Sequence, residues 1–173
     1  MSVVITADFL VQLRHFLAEA NQHGYAAGES DKWIKEPDGS TTIVYEYGPW
    51  KYHDNFFGGE PYGGREVVFY QNQAVWMMVY YGYVVDEAKA ERNEIYRFLR
   101  EALSQPNERD LPVRGPGSYG HAAAYSIYFC EYAESSNLSR FKGWEEIYRK
   151  GLKPRTIYRA TFSGGLVDQS VAL

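Results

Sequence analysis

The chain contains a single cysteine, Cys130, which excludes an internal disulfide framework and the small secreted scaffolds that depend on one. Positive charge is also scarce: the formal net charge is −4 and the pI about 5.6. A polyanion footprint normally shows as an excess of Lys and Arg, so nucleic acid is disfavoured as a general partner. No stretch approaches the roughly 20 apolar residues of a membrane span, and the opening MSVVITADF has neither the basic leader nor the apolar run of a signal peptide. The expectation is a cytoplasmic protein with no membrane contact, in which the sequon Asn137-Leu138-Ser139 has no consequence.

Catalytic and ligating motifs are equally sparse. His15, His23, His53 and His121 show no zinc spacing, and Cys130 lacks the partners of a nucleophile. No metal and no cofactor is expected. His53 and Asp54 are neighbours, but on a strand they point to opposite faces and form no dyad. The segment Gly58 to Gly64 with Arg65 spaces glycines like a phosphate loop, yet it lacks the Lys and Ser/Thr, carries Glu60, and leads into a strand. It reads as a plain loop or lid.

What is present is a core and many rings. At 173 residues and 45% hydrophobic content the chain matches one globular domain. About 70% of its unfolded surface should be lost on folding without staples. The aromatic share is 17%, from 16 Tyr, 9 Phe and 4 Trp. Aromatics favour the pleated surface of a sheet, and Tyr suits a face that is apolar on one side and wet on the other.

Along the chain, Thr6 precedes Phe9, Leu10, Leu13, Phe16, Leu17 and Ala20 at helical spacing, and Gly24 supplies a stop. Polar residues 25 to 40 end in turn chemistry. Strand patterns follow over 41–47, 50–57, 65–70 and 74–85, the last apolar on both faces and therefore expected to be buried on both. Asp86 reads as the cap of a second helix reaching about Leu103, with Ala88, Ile95, Phe98, Leu99 and Ala102 on one side. Three Pro and three Gly between Ser104 and Gly120 exclude regular structure there, and strand patterns resume over 121–132, 143–150 and 156–163. The tail from Leu166 should be loose. The sum is an α+β fold: a curved, mostly antiparallel sheet of about seven strands with two helices packed on it, in one domain whose core spans about 6–166.

Alternation places carboxylates among rings. Asp54 falls between Tyr52 and Phe56, Glu131 follows Tyr125, Ile127 and Phe129, and Glu146 lies between Trp144 and Tyr148. A buried carboxylate needs a charge or hydrogen-bond partner, which Tyr hydroxyls and Arg65, Arg114 or Arg159 offer. The alternatives are a structural polar network and a ligand or catalytic pocket. Charge is uneven as well: residues 138–160 carry +5 and the remainder −9, which reads as a solvated hairpin rather than a phosphate surface.

Several pieces in order resemble an uncharacterised bacterial family, a domain of unknown function often found C-terminal to Cro/repressor-type helix-turn-helix modules in transcription regulators. They are Phe16 through Ala26, Tyr52 with Asp54, Gly58-Gly59, Gly64 with Glu66, Trp76 through Gly82, Arg114-Gly115-Pro116, Phe141 with Gly143, Glu145 through Tyr148, and Phe162 with Gly164-Gly165. The family pattern has Asn where this chain has Val79. The resemblance implies no activity; the fusion in relatives points to sensing or partner binding.

Three function classes follow. The favoured one is a non-catalytic small-molecule-sensing or partner-binding domain with an aromatic, carboxylate-containing pocket; its candidate ligand-binding residues are Tyr52, Asp54, Glu66, Trp76, Tyr80, Glu131, Trp144 and Glu146, with no catalytic or metal residues assigned. The others are an enzyme using paired carboxylates from Asp54, Glu131 and Glu146, and a nucleic-acid accessory protein using the basic 138–160 segment. The expected partner is a small molecule or a protein; an oligomer has no support in the sequence.

Overall fold

Helix α1 (Ala7–His23) begins where Thr6 Oγ1 accepts the Phe9 N–H at 3.1 Å and ends at Gly24, whose N–H reaches Ala20 O at 2.8 Å. Thr6 thereby satisfies one of the amides that a helix start leaves without a partner. Phe9, Leu13, Phe16, Leu17 and Ala20 form its buried stripe, and Phe9 and Phe16 pack on Trp50 with ring centroids 5.1 and 5.4 Å apart. The computed structural model describes residues 3–28, 32–120 and 125–167.

The second helix starts later than its sequence suggests. Asp86–Glu91 forms a 3-10 turn, and α2 runs over Arg92–Leu103. Asp86 makes no capping bond because its carboxylate is engaged by Lys89 at 2.6 Å. Ala88, Ile95, Leu99 and Ala102 are buried as expected, and Phe98 packs on Tyr119.

Among the described residues there are nine strands in one antiparallel sheet: β1 (Ile34–Lys35), β2 (Thr41–Tyr47), β3 (Trp50–Gly58), β4 (Tyr62–Tyr70), β5 (Gln73–Val84), β6 (Ser118–Tyr119), β7 (Ser126–Tyr132), β8 (Arg140–Arg149) and β9 (Arg155–Leu166). The order is β1-β2-β3-β4-β5-β9-β8-β7-β6. The two strands beyond the expected seven are the two-residue edges β1 and β6, too short to show an alternating pattern. The chain meanders out to β5, crosses by α2 and the Pro/Gly-rich loop to the far edge, and returns inward until β9 pairs with β5.

Three further expectations are corrected. The strand after the Gly-rich segment begins at Tyr62, so Gly63 and Gly64 are paired with Phe57 and Phe56 rather than looped out. A Cβ on Gly64 would lie 2.7 Å from the Tyr80 hydroxyl and 2.5 Å from Asn55 O; glycine stands there because a neighbouring ring crosses it. Leu166 closes β9 opposite Trp76, whereas residues 168–173 lie outside the described residues. The strand expected from His121 starts at Ser126, with 121–124 also outside them.

Among the described residues, only one sheet face is covered. Registers align Tyr52, Asp54, Glu66, Val68, Trp76, Met78, Tyr80, Phe162, Ala160, Tyr158, Glu145, Ile147, Tyr128 and Cys130 on the face that receives both helices, and all of them are buried. β5 is central, as expected, but buried on one side: Val79 and Tyr81 are 47% and 52% exposed on the other. The open face is nonetheless rich in rings, with Phe57, Tyr83, Phe129, Trp144 and Tyr148 at its surface. No helix of the described residues is long and apolar enough to cross a membrane.

Candidate functional site

The loop between α2 and β6 carries the key cation inward. Asn107 Nδ2 donates to Arg114 O at 2.7 Å and Gly115 O at 3.0 Å, Asn21 Nδ2 to Pro112 O at 2.7 Å, and the Tyr132 hydroxyl to Leu111 O at 2.8 Å. Buried Leu111 and Val113 anchor the same segment. A loop driven into a core must have its backbone satisfied, and these side chains do that. Arg114 then lies over the inner face of the sheet, its side chain 11% exposed.

Arg114 forks onto Glu145 of β8, with Nη2 to Oε1 at 2.6 Å and Nε to Oε2 at 3.3 Å. Glu145 is fully buried and also accepts from Tyr128 at 2.7 Å and Tyr158 at 2.9 Å. This carboxylate therefore has the charge and the donors that burial demands. Tyr158 in turn shares a hydrogen bond with Tyr62, whose ring lies across Gly82: a Cβ there would be 2.7 Å from the ring. Arg114 Nη1 stands 3.6 Å from Glu66 Oε1, and the guanidinium lies 5.6 Å from the Tyr80 ring centre.

Glu66 faces Asp54 directly across the β3–β4 ladder. Both are buried, and like charges opposite each other in a sheet repel. Burial above all, opposed by the Tyr80 hydrogen bond and the Arg114 charge, raises Asp54 to about 6. Burial and then the charge of Asp54, opposed by Arg114, raise Glu66 to about 8. Both carboxyls are thus pushed toward the protonated form, and the pair shares a proton at neutral pH. Tyr80 donates to Asp54 Oδ1 at 2.5 Å, and no described residue donates to Oδ2. Glu66 Oε2 is buried without a partner, beside a void of about 20 Å³ bounded by Tyr52, Asp54, Glu66 and Arg114, room for one water.

Above this floor opens a cavity of about 420 Å³. Its walls are the rings of Tyr25, Trp33, Phe56, Tyr62, Tyr80 and Tyr96; Asp54 and Arg114 lie at the bottom, and Lys35, Thr41, Asn93 and Arg100 also line it. The rings support one another: Tyr62 is 5.9 Å from both Tyr80 and Tyr96, and Trp33 is 5.8 Å from Tyr25 and from Phe56. Three of the four tyrosine hydroxyls are already engaged. Tyr62 bonds Tyr158, Tyr80 bonds Asp54, Tyr96 donates to Glu60, and the Tyr25 oxygen receives a long 3.5 Å contact from Arg100. The cavity consequently offers ring surface at its walls and one open carboxyl oxygen at its base.

Of the residues singled out in the sequence, Tyr52, Asp54, Glu66 and Tyr80 converge here, Asp54 and Tyr80 on the cavity itself. Trp76 does not: it is fully buried, stacked 5.5 Å from Phe141, with Nε1 donating to Leu138 O at 3.2 Å. Glu131, Trp144 and Glu146 lie on the opposite, open face, where Glu146 pairs with Arg159 at 2.9 Å. The expectation that Glu131 and Glu146 belong to the pocket with Asp54 is corrected: the acid that β8 turns inward is Glu145. Strand alternation in β7 and β8 has the opposite phase, because Tyr128, Cys130, Gly143, Glu145 and Ile147 point in. Of the three arginines considered as partners, only Arg114 reaches the inward acids, while Arg159 pairs with Glu146 on the open face. No group of three or more His, Cys, Asp and Glu among the described residues is arranged to hold a metal ion.

Residues 54–167 match the family model described as Domain of unknown function (DUF5680). No curated protein and no solved structure matches the chain.

Proposed function

The chain belongs to the DUF5680 family, whose function is unknown, and from that premise we propose that it is a non-catalytic binding domain holding a small molecule in the ring-walled cavity above Asp54. One observation carries this reading: a formed cavity of about 420 Å³, walled by six rings, above a buried carboxyl with one oxygen left open. Apolar walls with a few convergent polar groups are what small-molecule sites have. The floor acids, Arg114, Arg100 and four of the six rings fall within the family-matched segment, while Tyr25, Trp33 and Lys35 precede it, so the family's common part builds the base and most of the wall and the preceding segment completes the mouth. A sensory use of the site is supported only by the resemblance to domains that accompany helix-turn-helix modules.

A thermal-shift screen over metabolites tests the reading. A ligand at 100 times its Kd adds about 2.7 kcal/mol, a rise of roughly 5 to 10 °C for a chain of this size. Asp54→Asn should keep the fold and cut the response by about half or more; a hit whose shift survives undiminished in both Asp54→Asn and Tyr96→Ala would place binding elsewhere and refute the proposal. A second reading rests on Asp54 itself, since a carboxyl raised to about 6 at a cavity suits general acid or base work. It requires turnover of a screened ligand that disappears in Asp54→Asn while binding persists.

A further inference from the structure

We infer that the cavity takes a planar ring bearing an N–H donor and joined to an anionic group, the ring between the aromatic walls with its donor on Asp54 Oδ2 and the anion at the mouth against Arg100 and Lys35. The inference rests on the binding-domain reading and adds the ligand's chemical class.

The charges along the cavity are sorted. At its base Asp54, Glu66 and Glu145 face one cation, Arg114, and that cation is committed to Glu145 by two bonds. Even with one proton on the Asp54 and Glu66 pair, the base is negative. At the mouth the sign reverses. Lys35 comes from β1 and Arg100 from α2, and among the described residues neither has a carboxylate partner. Each is nevertheless positioned: Lys35 Nζ donates to Thr41 Oγ1 at 2.9 Å, and the Arg100 guanidinium lies 5.9 Å from the Tyr25 ring centre with Nη1 3.5 Å from its hydroxyl. These contacts leave donors on both cations free for an anion.

A carboxylate or phosphate at the base would face buried like charge, and an ammonium at the mouth would face two cations; both orientations are disfavoured by repulsion. A hydrogen-bond donor inward and an anion outward satisfies both ends. Between them stand six rings, of which Tyr62, Tyr80 and Tyr96 have their hydroxyls engaged elsewhere, and a flat ring gains most from aromatic walls. Carboxylate and phosphate share the chemistry recognised at the mouth, so the two sources are separated by experiment.

Calorimetric titrations at low salt would compare adenosine 5′-monophosphate with adenosine and inorganic phosphate, and indole-3-acetate with indole and acetate. At least one anionic ring compound should bind about tenfold or more tighter than its neutral parent, with the phosphate or carboxylate series identifying the group. Lys35→Gln combined with Arg100→Gln should erase that advantage while leaving the neutral parent's affinity unchanged. Asp54→Asn should weaken ring compounds by a similar factor whether or not they carry an anion. Equal binding of anion and parent, an advantage that survives loss of both cations, or free phosphate and acetate binding as tightly as the ring compounds would each overturn the inference. Failure of both ring series also overturns it. The binding-domain reading falls only if neutral sugars, amines and the wider metabolite panel fail to bind as well.

Discussion

Raising the pH through the neutral range should cost this protein stability, and Glu66→Gln should remove most of that cost. In the folded chain Asp54 holds its proton to about pH 6 and Glu66 to about pH 8, against ordinary values of 3.8 and 4.5. Between about pH 4 and 8 the native state therefore binds more protons than the unfolded one, and linkage makes stability fall as pH rises across that window. Below it both states are protonated, and above it both are ionised, so the curve flattens at each end. A tenfold change in an ionisation constant is about 1.4 kcal/mol, which puts the combined effect on the order of several kcal/mol. The amide of Gln has no proton to lose over this range, so the part of the dependence that comes from Glu66 disappears and only that of Asp54, raised by its own burial, remains. Urea unfolding at pH 5 and pH 8.5 is the assay: wild type should lose about 2 kcal/mol or more between them, and Glu66→Gln less than half as much. Glu131→Gln, on the open face, should follow wild type. A wild-type profile that is flat or rises over this interval, or an unchanged slope in Glu66→Gln, would refute the shared-proton account.

Arg114→Met leaves Glu145 buried with only tyrosine donors, and should cost about 3 to 5 kcal/mol in urea unfolding; adding Glu145→Gln should recover part of that loss. Gly82→Ala should displace the Tyr62 ring, cost about 1 to 3 kcal/mol by overpacking, and weaken any cavity ligand more than it weakens the fold. Trp76→Ala removes a fully buried ring from the central strand and should cost about 3 to 5 kcal/mol, read as a large fall in Tm.

Helix α1, the strand pattern of residues 41–70 and the inward placement of Asp54 could be read from sequence, because capping, turn chemistry and alternation all agree there. The phase of β7 and β8 could not be read from rings. Period two states that neighbours oppose, but it does not state which set is buried, and this sheet carries aromatics on both faces: Phe129, Trp144 and Tyr148 outside, Tyr128 and Phe141 inside. The discriminating residues were Cys130 and Ile147, among the types most often fully buried, with Gly143, whose missing side chain makes room for the Phe162 ring. Assigning β8 by Ile147 rather than Trp144 brings Glu145 inward and Glu146 out.

The loop posed a different problem. The fourteen residues between Leu103 and Ser118 have no regular structure, and loops of that length inside a compact fold are often functional, but composition alone does not say which side chain such a loop delivers. Arg114 is that side chain, and its role follows from the position of Glu145. An acid in the middle of the inner sheet face is tolerable only opposite a cation, and Arg149, which shares the inward phase at the end of β8, is already paired with Glu91. The charge must come from outside the sheet, and the connection crossing from β5 to the far edge is the segment that passes over this face. Because Arg114 spends its fork on Glu145 and only approaches Glu66, the Asp54 and Glu66 pair is left to share a proton and to leave one oxygen open beneath the cavity. The stability of the base and its capacity to accept a ligand's hydrogen bond are thus set by how one guanidinium divides itself among three acids.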